Sequence, residues 1–178
     1  MSSTDPESGA EQVEDSVPAS WVPPRWPWIV GLTLAILGFG VAAYLTYEHF
    51  TSSSTLSCPA TGGIVNCFKV TTSKYSKIMG IPVSVLGLVF FAVTIVAQTP
   101  QAWASRNPWI RFGRIGWQAL GVLTALWLVY AELFKLHAIC LWCTAVHVLS
   151  LLVFITTIFG TLATAAPTPY DDEWDDAD

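Results

Sequence analysis

Trp28 to Tyr47 is a run of twenty residues that contains no Asp, Glu, Lys or Arg. At about 1.5 Å of rise per residue, a helix over that run is roughly 30 Å long, the thickness of a bilayer's hydrocarbon core. Pro27 suits the first helical turn, where its missing N–H would be unpaired anyway, and Glu48 and His49 end the run. A second stretch, Leu136 to Tyr170, is likewise free of all four charged residue types. The chain is 53% hydrophobic and only 12% charged, too apolar for an ordinary soluble domain, and its 178 residues leave room for one domain.

This pattern predicts an all-α integral membrane protein. Residues 25–166 form a bundle of four transmembrane helices, flanked by acidic tails at 1–24 and 167–178. The four spans are Trp28–Tyr47, Gly80–Gln98 with Pro82 in its first turn, Ile115–Ala131, and a last one from about Ala138 to Leu162. Thr99–Arg114 reads as a turn rich in Pro, Trp and Arg, and Glu132–His137 as a tight connection. The N-terminal tail cannot bury enough apolar surface to fold and is expected to be disordered. It lacks the basic region of a secretory signal, so the first helix is expected to stay in the mature protein.

Residues 50–79 make a polar loop between the first two spans. Cys58-Pro59 and Gly62-Gly63 give its early part a turn-like character. Phe68, Thr72, Tyr75 and Met79 recur at helical spacing opposite Lys74 and Lys77. That pattern fits a short amphipathic helix on the membrane surface, and fits an irregular loop equally well.

The net charge of -5 is concentrated at the ends, since eleven of the thirteen acidic residues lie in the two tails. Between them only Glu48 and Glu132 face eight Lys and Arg, a mildly basic balance that suits a membrane surface; no nucleic-acid module is recognisable. Four spans put both termini on one side. Arg25, Arg106, Arg111 and Arg114 flank that side and Lys69, Lys74, Lys77 and Lys135 the other, so positive charge leaves the orientation undecided. The cysteines decide it. All four fall at the face opposite the termini, and disulfides persist outside the cytosol. The termini are therefore expected in the cytoplasm, with the cysteine face outside the cytoplasmic (inner) membrane.

Cys140-Leu141-Trp142-Cys143 stands at the start of the last span, and Cys58 and Cys67 lie in the polar loop. Cys140 is expected in the first turn of the fourth helix, where free N–H groups and the helix dipole favour a thiolate. Cys143, three residues on, shares its face one turn deeper. Cys58 and Cys67 can form a disulfide of their own and swing over Cys140. Two purely structural disulfides in a non-catalytic membrane subunit are one alternative. Another is a metal or haem site built with His49, His137 or His147, although no His-x-x-His or second Cys-x-x-Cys supports it.

The run Cys67-Phe68-Lys69-Val70, then Ser73, Tyr75-Ser76, Gly80-Ile81-Pro82-Val83-Ser84 and Gly87, followed by Cys140-Leu141-Trp142-Cys143, resembles the bacterial vitamin K epoxide reductase family over roughly residues 28–165. The other four-helix disulfide oxidase class, the DsbB type, carries its C-x-x-C in the first loop, the reverse of the order here. The resemblance implies a four-helix membrane bundle around a quinone (menaquinone or ubiquinone), coupling disulfide formation to quinone reduction. It implies that Cys58 and Cys67 shuttle electrons from a reduced thioredoxin-like or DsbA-like extracytoplasmic partner, that Cys67 exchanges with Cys140, and that Cys143 faces the quinone. Many bacterial members carry a fused thioredoxin-like domain; the chain here is expected to use a separate partner and the membrane quinone pool. Quinone or quinone-epoxide reduction as the main output is the alternative.

Four residues after the second cysteine, where the animal enzymes have Tyr, stands His147. Position i+4 lies on the same helix face, so its imidazole is a candidate quinone contact, against the plainer role of a helix–helix hydrogen bond. Ser84, in the second span, is a candidate for the same pocket, against the plainer role of bonding a backbone carbonyl one turn earlier.

Overall fold

Pro27, Gly31, Ala35, Gly38, Ala42, Leu45 and Glu48 recur every three or four residues along α1 (Trp26–Thr51), and they are the residues this helix buries. A face of small residues allows close approach, the usual basis of helix association where lipid removes the hydrophobic driving force. The computed structural model describes residues 25–51, 65–105 and 107–164, in which Arg25–Leu162 makes up one packed body. The predicted tails, Cys58 and the early part of the polar loop lie outside the described residues.

Beyond α1 the order is a short helix α2 (Cys67–Thr71), a single 3₁₀ turn (Lys74–Ser76), a hairpin of β1 (Lys77–Ile78) and β2 (Ile81–Pro82), then α3 (Val83–Ala97), α4 (Pro100–Ala104), α5 (Pro108–Tyr130), a π-helical segment (Ala131–Leu136) and α6 (Leu141–Ala163). The hairpin pairs Ile78 with Ile81 around Met79 and Gly80. Both turn residues have positive φ, 53° and 86°, as a two-residue turn between twisted strands requires.

The α1–α3 packing is built on absent side chains. A Cβ at Gly38 would run into the Phe91 ring, and Phe91 is fully buried there. Gly121 of α5 makes the same room for Phe90, whose ring stacks on Trp117 with centroids 5.7 Å apart. At the far end, wholly buried Gln98 ties three elements together. Its amide donates to Thr157 Oγ1 at 2.7 Å and its carbonyl accepts from Trp103 Nε1 at 2.8 Å.

Large apolar side chains face outward. Ile36, Leu37, Val96, Leu123, Leu126, Phe159 and Leu162 are each more than half exposed. In water so many outward apolar groups would be a liability; in hydrocarbon they meet their natural solvent. Three helical stretches, Trp26–Thr51, Pro108–Leu136 and Leu141–Ala163, are long and apolar enough to cross a membrane. The predicted second span is shorter than expected. Val83–Ala97 has 15 residues, because Ile81-Pro82 is taken up by the hairpin and Pro82 precedes the helix.

Other boundaries also shift. Most of the expected turn at Thr99–Arg114 is helical: α4 occupies its first part, and α5 begins at Pro108, capped by the Asn107 side chain accepting from Trp109 N–H at 3.0 Å. Arg114 is carried inside this helix by lying over the Trp103 ring, 3.6 Å from its centroid, so a charge that pointed to a turn is buried against an aromatic face instead. Glu132–His137 is no tight connection either. The π segment continues α5 to Leu136, and His137, at φ 47°, ψ 42°, turns the chain. Phe68–Met79 forms neither one amphipathic helix nor an irregular loop throughout: it is divided among α2, the 3₁₀ turn and the hairpin, with Met79 fully outside.

Candidate active site

The loop cysteine reaches the C-x-x-C motif through backbone pairing. Val65 forms a parallel bridge with Ile139, and Asn66 N–H donates to the Ile139 carbonyl at 3.1 Å. Asn66 also caps α2, its side chain accepting from Lys69 N–H at 2.9 Å. Cys67, the next residue, is thereby delivered into a buried cluster with Val70, Ala138 and Cys140. Cys67 and Cys140 are 1% and 0% exposed, so this contact is closed to water. Cys67 is engaged in a disulfide, whereas Cys140 and Cys143 are free thiols.

Cys140 stands one residue before α6, at its cap rather than in its first turn. Its carbonyl accepts from Thr144 N–H at 2.9 Å, and its sulfur accepts from Cys143 N–H at 3.3 Å. A sulfur in the place of a capping oxygen meets the unpaired donors and positive end of the helix. Hydrogen bonding from the Cys143 side chain, and then from the N–H groups of Cys143 and Trp142, pulls the Cys140 thiol below its ordinary value, against burial and the nearby Glu132 carboxylate. Cys140 N–H in turn donates to Glu132 Oε2 at 3.4 Å.

Cys143 lines an apolar cavity of about 710 Å³ that is walled by α1, α3, α5, α6 and the segment between α2 and the hairpin. Among the described residues Cys143 borders this cavity and Cys140 does not. His147 and Ser84 border it as well, and both have an unpartnered buried atom, Nδ1 and Oγ respectively. The back-bond expected of a plain structural serine is not made at Ser84. Unsatisfied polar atoms in an apolar chamber are costly unless something bonds them. A flat ring carrying polar oxygens meets that need, and the volume is typical of small-molecule sites.

Residues 28–158 match the model of the vitamin K epoxide reductase family. The chain belongs to this family. It is accordingly a membrane oxidoreductase of the thiol and quinone type, and the residues around its cavity fit a quinone.

For the family site, the structure brings Cys67, Cys140, Cys143, His147 and Ser84 to one end of the bundle; Cys58 lies outside the described residues. His49 borders the cavity too, and no group of three or more metal-binding side chains occurs among the described residues. Sequence reasoning missed two neighbours. Glu48 and Glu132 are both buried and both border the cavity. Their signal was available, as they are the only acidic residues between the tails. Tyr44, whose ring lies tilted against that of Trp142 with centroids 5.0 Å apart, left no such signal.

Proposed function

We propose that the protein oxidises the dithiol of a thioredoxin-like partner, forming protein disulfides, and passes the electrons to a membrane quinone. The observation that carries this reading is the division of labour within the C-x-x-C pair: Cys140 packs against Cys67, and Cys143 borders the cavity. A relay between thiols and a lipid-soluble acceptor needs one sulfur on each side.

In this reading a reduced partner attacks the Cys58–Cys67 disulfide and leaves as a disulfide itself, with Cys58 and Cys67 as thiols. Cys67 thiolate attacks Cys140 of an oxidised Cys140–Cys143 pair and releases Cys143. Cys58 then attacks Cys67, restoring the loop disulfide and freeing Cys140. The bound quinone supplies a two-electron, two-proton acceptor. His147 and Ser84 would hold it through their unpartnered atoms, Cys143 would present its sulfur to the cavity, and the apolar lining would limit access of water. Each 30 mV between such couples corresponds to about 1.4 kcal/mol, so a modest gap gives the cycle direction.

The proposal includes a four-span topology in the cytoplasmic membrane, with Val83–Ala97 as the short member, the termini in the cytoplasm and the cysteine face outside. Its support is the location of the cysteines at one end, in chemistry that belongs outside a reducing cytosol. Purified protein given menaquinone and a reduced thioredoxin-like protein should form quinol and partner disulfide in equal amounts. Absence of thiol-dependent quinol would sink the reading. Faster turnover of a quinone epoxide than of the quinone would instead make quinone chemistry the main output.

A further inference from the structure

Glu132 is a carboxylate in a place where carboxylates are rare. It is 5% exposed, lies on the π-helical segment, and borders the same cavity as Cys143 and His147. Its main-chain carbonyl accepts from Ala138 N–H at 3.2 Å and its Oε2 accepts from Cys140 N–H at 3.4 Å. Glu132 therefore meets both the backbone of one reacting cysteine and the chamber bordered by the other. π-Helical turns are uncommon and concentrate at functional sites, because the extra residue re-aims a side chain.

The chemistry has a matching requirement. Oxidation of the Cys140/Cys143 dithiol forms one S–S bond, breaks two S–H bonds, and releases two electrons and two protons. Reduction of a quinone to a quinol consumes two of each and forms two O–H bonds. Electrons cross from Cys143, but the proton of Cys140 starts in a cluster closed to water, on a residue that does not itself border the cavity. A titratable group reaching both places can carry it.

We propose that Glu132 positions Cys140 and relays its proton to the quinone in the cavity. This rests on the function proposed above. During oxidation the Glu132 carboxylate takes the proton of the Cys140 thiol and delivers it toward the cavity, where it ends on a quinone oxygen; the carboxylate is regenerated, and no further oxidant or reductant is needed. Among the described residues, the titratable groups that share the cavity and the cysteine cluster with Glu132 are Glu48 and His49 of α1, Tyr75 of the loop, and Cys140, Cys143 and His147 at and along α6.

Glu132→Gln separates proton transfer from shape, since the amide oxygen still accepts from Cys140 N–H while the group no longer carries a proton. The wild type and Glu132→Gln would be compared in lipid nanodiscs by two readouts. The first, without quinone, is the pH titration of Cys140 thiolate followed by ultraviolet absorbance, with Cys140→Ala as the blank. Removing the negative carboxylate favours the thiolate, so the midpoint should move to lower pH in Glu132→Gln, with Glu132→Asp returning it toward wild type. The second is single-turnover menaquinol formation from prereduced enzyme, which should slow about a hundredfold in Glu132→Gln and lose its pH dependence, as expected for a lost proton-transfer group. A wild-type midpoint together with wild-type single-turnover rates in Glu132→Gln would overturn the role of Glu132 and leave the quinone reading standing. Failure of the wild type itself to form quinol would overturn both.

Discussion

The N–H of Cys143 donates to the sulfur of Cys140 at 3.3 Å across the first turn of α6. The two cysteines are thus coupled through the helix cap as well as through the chemistry they share. Whatever changes one sulfur is felt at the other, and the first expectations follow from that coupling.

In Cys143→Ala the Cys140 sulfur has no resolving partner, while Cys67 remains packed beside it. The variant should accumulate the Cys67–Cys140 disulfide, detected by non-reducing peptide mapping, and lose quinol formation. If no such species forms when the reduced partner is supplied, the cysteines are structural.

The Cys143 side chain is the largest influence lowering the Cys140 thiol. At any pH below the ordinary thiol range, Cys140 is therefore more ionised than a free cysteine. Cys143→Ala removes the main cause, so the thiolate midpoint should rise, and reactivity of Cys140 near neutral pH should fall. Absorbance titration of the reduced variant checks both the sign and the order of causes.

His147→Ala deletes one of the two unpartnered polar atoms that border the cavity among the described residues. One neutral hydrogen bond contributes about 1 kcal/mol, so the quinone KM should rise by roughly fivefold, with a smaller change in kcat. The KM for the thiol partner should stay put, since that end of the relay runs through Cys67. An unchanged quinone KM would remove His147 from the site.

Gly38→Val places branched carbons where the Phe91 ring sits. Overpacking of this kind costs about 1–3 kcal/mol, visible as a lower unfolding temperature in detergent. The double variant Gly38→Val/Phe91→Ala should recover part of the loss, because the two groups compete for one space.

The spans were legible because hydrocarbon imposes a composition that can be counted along the chain. Their ends were less so. Arg111 and Arg114 argued for a turn, yet the helix holds Arg114 against the Trp103 ring, a pairing that exists only once α4 and α5 have folded back. The π segment leaves no compositional mark at all. Ala131 through Leu136 would suit an α-helix equally well, and what distinguishes it is hydrogen bonding rather than residue type. At the site, Cys143 and His147 could be placed on one face from spacing alone. The approach of Cys67 to Cys140 rests on Val65 meeting Ile139, a pairing between distant parts of the chain with no local trace. Glu132 was visible only as an oddity, a lone acid among apolar neighbours, until the turn carried it to Cys140.

On the four-span topology proposed above, the shortness of α3 has a consequence for the surrounding lipid. Fifteen residues at about 1.5 Å each give about 22 Å of helix, some way below the roughly 30 Å of the hydrocarbon layer. A segment that undershoots the bilayer draws the leaflets inward or leans on its flanking residues, and either response makes the membrane locally thin. This helix also forms a wall of the cavity through Leu86, Val89 and Phe90. The hydrophobic mismatch therefore falls beside the chamber itself, and bilayer thickness becomes a variable to which this flank of the protein is sensitive.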